Sequence, residues 1–506
     1  MYKELQKVKK IIIMFVSHPL IKENKVELRE YQINIAKNCL KDNTLVVLPT
    51  GLGKTNIALL VCAEKLNKEE GKILFLSPTK PLVNQHQKSF EEFSEICDLE
   101  VVSGEVKPEK RRKLYQKGRI IFATPQTISN DLKNKILNLR EFILLVVDEA
   151  HHTIGNYAYT YIAQRYIKEA RNPLILGMTA SPGGKITRIE QIKKNLFINQ
   201  IESKTEVDKD IKRYIKEKEI NKVKIELPED YKVAKKLIEK IIDRKIEYLN
   251  KIGALPTRKI SKKMLLDYHQ LYMEKATHLK KKVLYLAISK ISELIKLDYC
   301  LELLETQGAN QCLMYIKKLK RERTKAAKNI IIDPEFQVFV NKVNKLNEHP
   351  KLNKIKEIVE KEFKNKLIIF TQYRSAIDEI KKKIEEIERV RVGVLIGQKG
   401  GLNQKKQVSI IRDFEEGIYN IILCTSIGEE GLDIKGVGSA IFYEPIPSEI
   451  RQIQRRGRVG RLIKGRVYIL IAKDTRDEAY YWTAYHKERK MRRYLKRNSS
   501  LSLKEF

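Results

Sequence analysis

A glycine-rich segment early in the chain has the residue types and spacing that bind a polyphosphate. It lies between an apolar run at 45–48 and a helical pattern at 56–66, and it reads Pro49-Thr50-Gly51-Leu52-Gly53-Lys54-Thr55. Glycines at such a strand-to-helix turn let backbone N–H groups surround a phosphate, and the helix N-terminus adds partial positive charge. We expect Lys54 to neutralise the β- and γ-phosphates of ATP and the Thr55 hydroxyl to hold Mg²⁺.

Two adjacent carboxylates, Asp148 and Glu149, follow the apolar run 143–147. Open parallel sheets bind ligands at the carboxyl ends of their strands, so this pair is expected near the phosphate loop. We expect Asp148 to reach Mg²⁺, directly or through water, and Glu149 to orient and deprotonate the attacking water. An isolated acidic pair at a strand end is usually a solvated turn. The phosphate loop upstream favours the catalytic interpretation.

Four motifs follow one another along the chain: the phosphate loop, Asp148-Glu149-Ala150-His151, Thr179-Ala180-Ser181 and Gln454-Arg455-Arg456-Gly457-Arg458-Val459-Gly460-Arg461. The alternative for the last motif is a chance basic patch, but its glycines permit a close backbone approach that a solvated face does not need. Together the four resemble the ordered motif set of superfamily two helicases. Two RecA-like α/β domains with the nucleotide between them are therefore implied.

The resemblance implies roles for further residues. Gln32, in Arg29-Glu30-Tyr31-Gln32, is similar to the element that reads adenine. Gly431 and Asp433, in Glu430-Gly431-Leu432-Asp433, resemble the ribose contact. Gln454 is similar to a catalytic position of the last motif, and Arg458 and Arg461 resemble arginine fingers that arrive from the second domain.

Several loop segments resemble family positions that hold a nucleic-acid backbone. Hydroxyls and backbone amides suit phosphate because they bind without reading sequence. Singly these are weak signals, since Ser and Thr are ordinary loop residues, and their value lies in their order. The expected contacts are Pro78, Thr79, Lys80, Thr124, Pro125, Gln126, Thr371, Arg374 and Thr425.

A closer resemblance covers nearly the whole chain. The segments Gly155–Tyr159, Leu303–Gly308 and Thr475–Trp482 are similar to those of Hef-type helicases, relatives of the Fanconi anaemia M-type and Mph-type enzymes. The resemblance implies a thumb-like helical insert that engages forked and four-way DNA. It also implies ATP-dependent remodelling of branched DNA with three-prime to five-prime polarity, in the company of replication or repair proteins.

The alternation of apolar runs with helical patterns predicts an α/β fold. Buried parallel strands are expected at 45–48, 73–76, 120–123, 143–147 and 174–178, and again at 367–370, 421–424, 440–443 and 466–471. Between these sets the chain is rich in Lys, Glu, Leu and Ile at helical spacing. The sequence therefore predicts a RecA-like domain at 1–200, a helical insert at 207–347 that binds branched DNA, and a second RecA-like domain with a basic C-terminal helix at 348–506.

Charge and cysteine content limit the functional class. The chain has 100 Lys plus Arg against 64 Asp plus Glu, a net charge of +36, which favours a nucleic-acid partner. Lysine enrichment for stability alone would not explain the imbalance. Six cysteines without a CxxC pair indicate buried thiols, and the apolar run 11–16 is too short to span a bilayer. We expect a cytoplasmic protein without membrane contact.

Two alternatives and one departure from the family pattern stay open at this point. An RNA-directed helicase of the Dicer or RIG-I type shares the motifs, and a non-catalytic DNA-binding scaffold would use the nucleotide only as a switch. Hef-type proteins often continue into an XPF-type nuclease with Glu-Arg-Lys and a following Asp. Here Glu488-Arg489-Lys490 has Tyr494 at the aspartate position, so we expect a basic helix and no nuclease activity in this chain.

Overall fold

A computed structural model describes residues 14–155, 157–206, 208–214, 218–257, 260–279, 281–397, 404–425, 434, 437–457 and 465–499. Within these residues the chain forms two parallel β-sheets with a helical bundle between them in sequence. This architecture is the α/β class with a helical insert that the sequence predicts.

The first sheet has seven described strands, and nearly every residue of its central strands is buried. Short β-branched runs of this kind suit a parallel sheet that is covered on both faces. The strand order is β3-β4-β2-β5-β6-β1-β7. The strands are β1 (Thr44–Val47), β2 (Lys72–Leu76), β3 (Leu99–Val102), β4 (Ile120–Ala123), β5 (Phe142–Val147), β6 (Ile175–Thr179) and β7 (Gln200–Ser203).

Amphipathic helices cover both faces of this sheet. They are α1 (Glu30–Cys39), α2 (Lys54–Lys68), α3 (Lys80–Phe93), α4 (Pro108–Lys117), α5 (Pro125–Lys133), α6 (Tyr157–Glu169) and α7 (Ile186–Asn195). A 3₁₀ turn, Ala150–Thr153, follows β5, and the short α8 (Lys209–Lys212) follows β7. Because all seven strands are parallel, the loops after β1, β2, β4, β5 and β6 meet at one edge of the sheet.

One strand lies inside the range that the sequence predicts as helical insert. β8 (Lys218–Ile225) pairs in parallel with β13 (Gly465–Ala472) along its whole length and forms an edge of the second sheet. The prediction of a helical segment is wrong here. The strand is rich in lysine, which made it resemble the insert, and charged residues are what exposed sheet edges carry.

In the described part of the chain, six helices form the bundle between the sheets. They are α9 (Glu229–Lys251), α10 (Lys262–Leu279), α11 (Lys282–Thr306), α12 (Ala309–Arg321), α13 (Lys325–Ile331) and α14 (Pro334–Val343). Turns at Gly253–Pro256 and Gln307–Gly308 separate α9 from α10 and α11 from α12. Both glycines have positive φ, 70° at Gly253 and 105° at Gly308, which non-glycine residues rarely adopt.

The second sheet has the order β10-β11-β9-β12-β13-β8. Its other strands are β9 (Leu367–Phe370), β10 (Val392–Leu395), β11 (Ile421–Cys424) and β12 (Ser439–Phe442). Its helices are α15 (Pro350–Glu362), α16 (Arg374–Ile384), α17 (Gln404–Glu415), α18 (Glu449–Arg456) and α19 (Arg476–Asn498). The last helix, α19, extends to the first sheet. There Met491 and Leu495 belong to a hydrophobic core that the first sheet and its helices form.

Two sequence expectations concern cysteines and membranes. Five of the six cysteines are buried, but Cys97 is exposed, so the expectation of buried thiols is wrong at that position. Across the described residues, every helix is too short or too polar to cross a membrane.

Candidate nucleotide and nucleic-acid site

The phosphate loop connects β1 to α2 in a conformation that depends on glycine. Gly51 and Gly53 have φ of 87° and 74°, and Gly53 caps the N-terminus of α2. A Cβ added to Gly53 would lie 2.4 Å from Gln32 Nε2, whereas nothing lies within 4 Å of one added to Gly51. Lys54 Nζ donates to the Leu48 carbonyl at 3.1 Å. The loop therefore presents a helix N-terminus and a lysine beside open space.

Gln32 is held against the back of this loop. It is 1% exposed, and its Nε2 donates to the Leu52 carbonyl at 3.0 Å. Tyr31 donates to the same carbonyl at 2.8 Å. The Gln32 Oε1 atom is buried, and no described group hydrogen-bonds to it. A buried acceptor without a donor is costly unless a ligand supplies one.

Asp148 lies at the carboxyl end of β5 and is 5% exposed. His86 of α3 donates from Nε2 to Asp148 Oδ2 at 2.8 Å, and the Ser77 hydroxyl lies 3.4 Å from the same oxygen. Burial raises the pKa of Asp148, but the contact with His86 and the charge of Lys54 lower it, and the net shift is downward. The carboxylate is thus kept ionised beside the phosphate loop.

Glu149 adopts a left-handed backbone conformation with φ of 48°, which is a strained region for a residue with a Cβ. Its Oε2 lies 3.2 Å from His151 Nδ1, within ion-pair distance but without hydrogen-bond geometry. His151 Nδ1 in turn lies 3.0 Å from Thr179 Oγ1. The acidic pair and the Thr179-Ala180-Ser181 motif therefore form one connected unit.

The second half of the chain, which contains the second sheet, contacts the first half, which contains the first sheet, at this unit. Ser181 Oγ donates to Met491 Sδ of α19 at 3.2 Å, and Gly184 N donates to Glu449 Oε1 of α18 at 2.6 Å. Gly457, directly after α18, lies against the phosphate loop: a Cβ there would be 1.6 Å from Thr50 Oγ1. Gln454, on the same helix, is 2% exposed. The structure thus brings the last motif to the loop.

A cavity of about 370 Å³ lies between the halves beside the phosphate loop. Thr50 lines it from one side and Arg456 and Gly457 from the other, with Arg492 of α19 behind them. Arg456 and Arg492 both pair with Glu488, which is 8% exposed. The sequence segment Glu488-Arg489-Lys490 therefore places its carboxylate in an ion pair between α18 and α19.

The segments expected to hold nucleic acid differ in exposure. Thr79, Gln126 and Arg374 are exposed, and Pro78, Lys80 and Thr124 are half-buried. Lys80 Nζ pairs with Glu105 at 2.6 Å. Pro125, Thr371 and Thr425 are buried. The expectation of side-chain contacts from these three is at odds with their burial.

Thr371 instead belongs to a buried network around Glu444, which follows β12. Its hydroxyl donates to Glu444 Oε2 at 3.1 Å, and Gln307 Nε2 of the bundle donates to the same oxygen at 3.4 Å. Burial raises the pKa of Glu444, and the charges of Arg455 and Lys351 offset part of that rise. The guanidinium of Arg455 also lies 5.2 Å from the Phe370 ring centroid. The network joins the bundle, β9 and the last motif.

Four candidate residues, Gly431, Asp433, Arg458 and Arg461, lie outside the described residues. His86 and Glu444 are site residues that the sequence reasoning missed. His86 could have been found, because it shares one apolar face of α3 with Val83 and Phe90, where a histidine needs a polar partner. No local sequence pattern marks Glu444 as a site residue, because its hydrogen-bond partners Thr371 and Gln307 are distant in sequence.

Comparisons with known proteins agree with this arrangement. Family models match residues 25–184 (type III restriction enzyme, res subunit), 230–349 (putative ATP-dependent RNA helicase, helical bundle) and 350–463 (helicase conserved C-terminal domain). The crystal structure of the Pyrococcus furiosus Hef helicase domain is similar with a TM-score of 0.69 and 39% identity, over 90% of this chain and 98% of that one. The chain belongs to the Hef family of superfamily two helicases.

Curated relatives of this Hef-family chain carry two kinds of name. A Methanocaldococcus jannaschii protein named a putative ATP-dependent RNA helicase is 43% identical over 495 residues, covering 96% of this chain and 62% of the relative. The Schizosaccharomyces pombe ATP-dependent DNA helicase fml1 is 31% identical over 509 residues, covering 95% and 61%. The chain thus spans less than two thirds of the length of these relatives. The resemblance to the Hef family and the fold class predicted from sequence are confirmed.

Proposed function

We propose that this Hef-family chain is an ATP-dependent DNA helicase or translocase that acts on forked or branched DNA with three-prime to five-prime polarity, in replication-fork repair. The contact of Gly457 with Thr50 carries the proposal, because it brings a motif of the second half onto the phosphate loop of the first. A nucleotide held there would couple the positions of the two halves. The DNA helicase fml1 and the mph1 DNA helicases of fungi support the choice of DNA.

The residues of the first half fit ATP and Mg²⁺. Gly51, Gly53 and the N-terminus of α2 form a phosphate cradle with Lys54, and Gln32 Oε1 is a buried acceptor without a described donor, which an amine of the adenine could supply. The Thr55 hydroxyl and the ionised Asp148 are oxygen ligands of the type Mg²⁺ prefers. When bound, Mg²⁺ would neutralise charge on the β- and γ-phosphates. Pro49 and Leu52 shape the loop around these groups.

Glu149 is proposed as the group that orients and deprotonates the attacking water. Its Oε2 is buried with no described hydrogen-bond donor, so it is able to accept a proton from water at that position. The contact with His151 holds the carboxylate in place. Gln454, Arg458 and Arg461 are proposed to complete the site from the second half, and Gly431 and Asp433 to contact the ribose.

The proposed nucleic-acid track follows the exposed and half-buried residues at the carboxyl ends of β2, β4 and β9. Pro78, Thr79 and Lys80 follow β2, Thr124 and Gln126 follow β4, and Arg374 follows β9. Both Thr79 and Thr124 precede the N-terminus of a helix, where backbone N–H groups favour phosphate. A track of this composition binds the nucleic-acid backbone and makes no sequence-specific contacts with the bases.

An RNA-directed helicase is the second candidate function. It is favoured by the name of the Methanocaldococcus jannaschii relative and by that of the helical-bundle family model. Both candidates use the same ATP site, so they differ in the nucleic acid that stimulates hydrolysis. Stimulation by duplex RNA and not by forked DNA would select the RNA candidate.

The ATP site is tested by replacing Lys54 with alanine. Lys54→Ala is expected to abolish ATP hydrolysis and largely to keep DNA binding. The reason is that Lys54 neutralises the phosphates of ATP and lies away from the proposed nucleic-acid track. Lys68→Ala, at the other end of α2, is the matched control, since Lys68 is exposed and pairs with Glu64 on its own helix. Phosphate release near the wild-type rate from Lys54→Ala would remove the phosphate loop from the mechanism.

A further inference from the structure

The long helix α19 is fixed along its inner side to both halves of the protein. Tyr481 packs into the core of the second sheet, and Met491 and Leu495 pack into the core under the first. Glu488, between them, pairs with Arg456 and Arg492. Residues at this spacing occupy one side of a helix. The outer side of α19 is consequently presented on a rigid support.

Aromatic rings stand exposed at the N-terminal part of this outer side. Trp482 is 46% exposed and Tyr485 is 42% exposed, and His486 is exposed beside them. The Trp482 and His486 rings stack with centroids 6.0 Å apart, and Tyr485 meets Trp482 edge-on at 5.6 Å. Lys222 Nζ of β8 lies 5.4 Å from the Trp482 ring centroid. Large aromatic surface left in water at a preformed cluster favours a binding surface.

Exposed cations continue the same side of the helix. Arg489, Arg493 and Lys496 follow the rings at helical spacing, and all three are exposed. Among the described residues, no carboxylate lies within 4.0 Å of them. No described carboxylate balances the charge of these three residues, so this side of the helix can bind an anion.

The position of this surface separates it from the proposed track. In the second sheet the order is β10-β11-β9-β12-β13-β8, and the track segment Arg374 follows β9 in one half of that order. α19 follows β13, which is two strands away from β9, and Lys222 lies on the edge strand β8 beyond β13. Trp482 to Lys496 spans about 21 Å of helix at 1.5 Å per residue. The surface is long enough for several nucleotides.

We propose that the outer face of α19, formed by Trp482, Tyr485, His486, Arg489, Arg493 and Lys496, is a second nucleic-acid surface that holds a single strand apart from the track. The proposal rests on the proposed function. Cations that neutralise the backbone, combined with aromatic rings that stack on bases, are how proteins bind single strands without reading sequence. A strand separated from its complement by the motor is an occupant with both a free backbone and free base faces.

A duplex or an acidic protein fits the α19 face less well. The bases of a duplex are stacked on one another, so the three rings would stay in water along its length. An acidic protein would pair with the arginines, but its acidic side chains would offer no flat aromatic partner to Trp482. Base stacking on the rings is therefore the contact that distinguishes the proposal.

Trp482 is the only tryptophan of the chain, so its fluorescence reports on this surface alone. The full chain is titrated with oligothymidylate while tryptophan emission is recorded, and the anisotropy of a labelled strand measures total binding in parallel. Stacking of a base on the indole is expected to quench the emission in a saturable manner that weakens with salt. Binding seen by anisotropy without any change in emission would overturn the proposal and leave the proposed function standing.

Charge reversal separates the α19 face from general electrostatics. In R489E/R493E/K496E the quenching is expected to require at least about tenfold more oligonucleotide, because three phosphate contacts are lost, whereas DNA-independent ATP hydrolysis stays unchanged. K361E/K364E/K382E is the matched control, because these lysines are exposed on α16 and around the C-terminal end of α15 and give the same change in net charge. Equal weakening of the quenching in both triple variants would overturn the proposal.

Polyglutamate and a Tyr485 variant distinguish a single strand from an acidic protein at the α19 face. Polyglutamate that quenches Trp482 as well as oligothymidylate does would overturn the proposal in favour of an acidic protein partner. Absence of any binding by anisotropy would overturn both the proposal and the proposed function. Replacing Tyr485 with alanine leaves the reporter in place, and its expected effect is a loss of about fivefold or more in affinity at this surface, from the removal of one stacking ring.

Discussion

Gly457 in the second half of the chain packs directly on Thr50 in the phosphate loop, so closely that a Cβ at Gly457 would lie 1.6 Å from Thr50 Oγ1. The φ of Gly457 is −70°, so its backbone conformation is open to any residue and only the contact requires glycine. The two halves therefore meet at the loop with no space for a methyl group. Under the proposed function, this contact would link ATP hydrolysis at the loop to the relative position of the halves.

The contact predicts the effect of Gly457→Ala. The added methyl group forces Thr50 and Gly457 apart, so ATP turnover is expected to fall by at least about tenfold while nucleotide binding to the first half is retained. Phosphate release and binding of a fluorescent nucleotide measure the two effects separately. Gly104→Ala is the control, because the nearest atom to its added Cβ is 3.9 Å away. Equal turnover in the two variants would show that the halves need not meet at Thr50.

His86 is expected to act through Asp148 as a positioning residue. His86→Leu removes the contact that helps to lower the pKa of Asp148, so the buried carboxylate becomes a poorer Mg²⁺ ligand. Loss of a group that supports a metal ligand typically costs about 10–100-fold in metal affinity or activity. The Mg²⁺ concentration that supports half-maximal hydrolysis is expected to rise by that order.

The control for this variant is His269→Leu, which removes a histidine bonded to Ser292 in the bundle. Both variants lose a partly or fully buried histidine, but only His86 contacts the site. An unchanged Mg²⁺ dependence in folded His86→Leu protein would contradict the role assigned to His86.

The sequence predicts the central strands, the phosphate loop and the acidic pair because each is a local pattern. A glycine-rich turn between a strand and a helix, or two carboxylates after a buried strand, is complete within about ten residues. β8 escaped prediction because its lysines match the composition of the insert, and only its pairing with β13 reveals it. Thr371 was expected to contact nucleic acid from a loop, whereas its hydroxyl is buried and donates to Glu444, which is far away in sequence.

His349 predicts a pH dependence of stability. Burial and the nearby charge of Lys351 lower its pKa to about 3, so the folded protein keeps it neutral. The unfolded chain takes up this proton near the ordinary value of about 6.5. Below that pH the unfolded state binds more protons, so His349 costs stability as pH falls from about 6.5 towards 3, by up to about 1.4 kcal/mol per unit.

The comparison with His349→Asn isolates this contribution. Asparagine is able to accept the cap hydrogen bond that the Lys351 backbone N–H now donates to His349 Nδ1 at 3.2 Å. Burial raises the pKa of Asp477 to about 6 in spite of the charge of Lys351. The contribution of Asp477 to stability therefore grows as pH falls, opposite to that of His349, but it is the same in both proteins. The unfolding temperature of the variant is expected to fall less than that of the wild type between pH 7 and pH 5. Parallel curves would refute the prediction.

The bundle is expected to bind DNA arms by charge. On α12, Lys317, Lys318 and Lys320 are exposed, and no described carboxylate lies within 4.0 Å of them. Each phosphate contact contributes a slope of roughly 0.9 to the dependence of log affinity on log salt for duplex DNA. K317Q/K318Q/K320Q is therefore expected to reduce that slope for forks, with a smaller effect on single strands.

K361Q/K364Q/K382Q serves as the control for this variant. Equal salt slopes for fork binding in the two variants would show that the α12 lysines are only a solvated surface. Replacing the bundle by a linker is a second test. The replaced segment is about 229–345, so that β8 is retained, since removing β8 would leave β13 with only one of its two neighbouring strands. The shortened protein is expected to hydrolyse ATP on single strands and to lose its preference for forks.

The most direct test of the proposed function is the rate of ATP hydrolysis with different nucleic acids. Single-stranded DNA, duplex DNA, a fork, a four-way junction and duplex RNA are compared at equal phosphate concentration, with Lys54→Ala as the blank. A helicase of branched DNA is expected to be stimulated most by the fork and the four-way junction and least by duplex RNA. Strong stimulation by duplex RNA with none by forked DNA would contradict the proposed function.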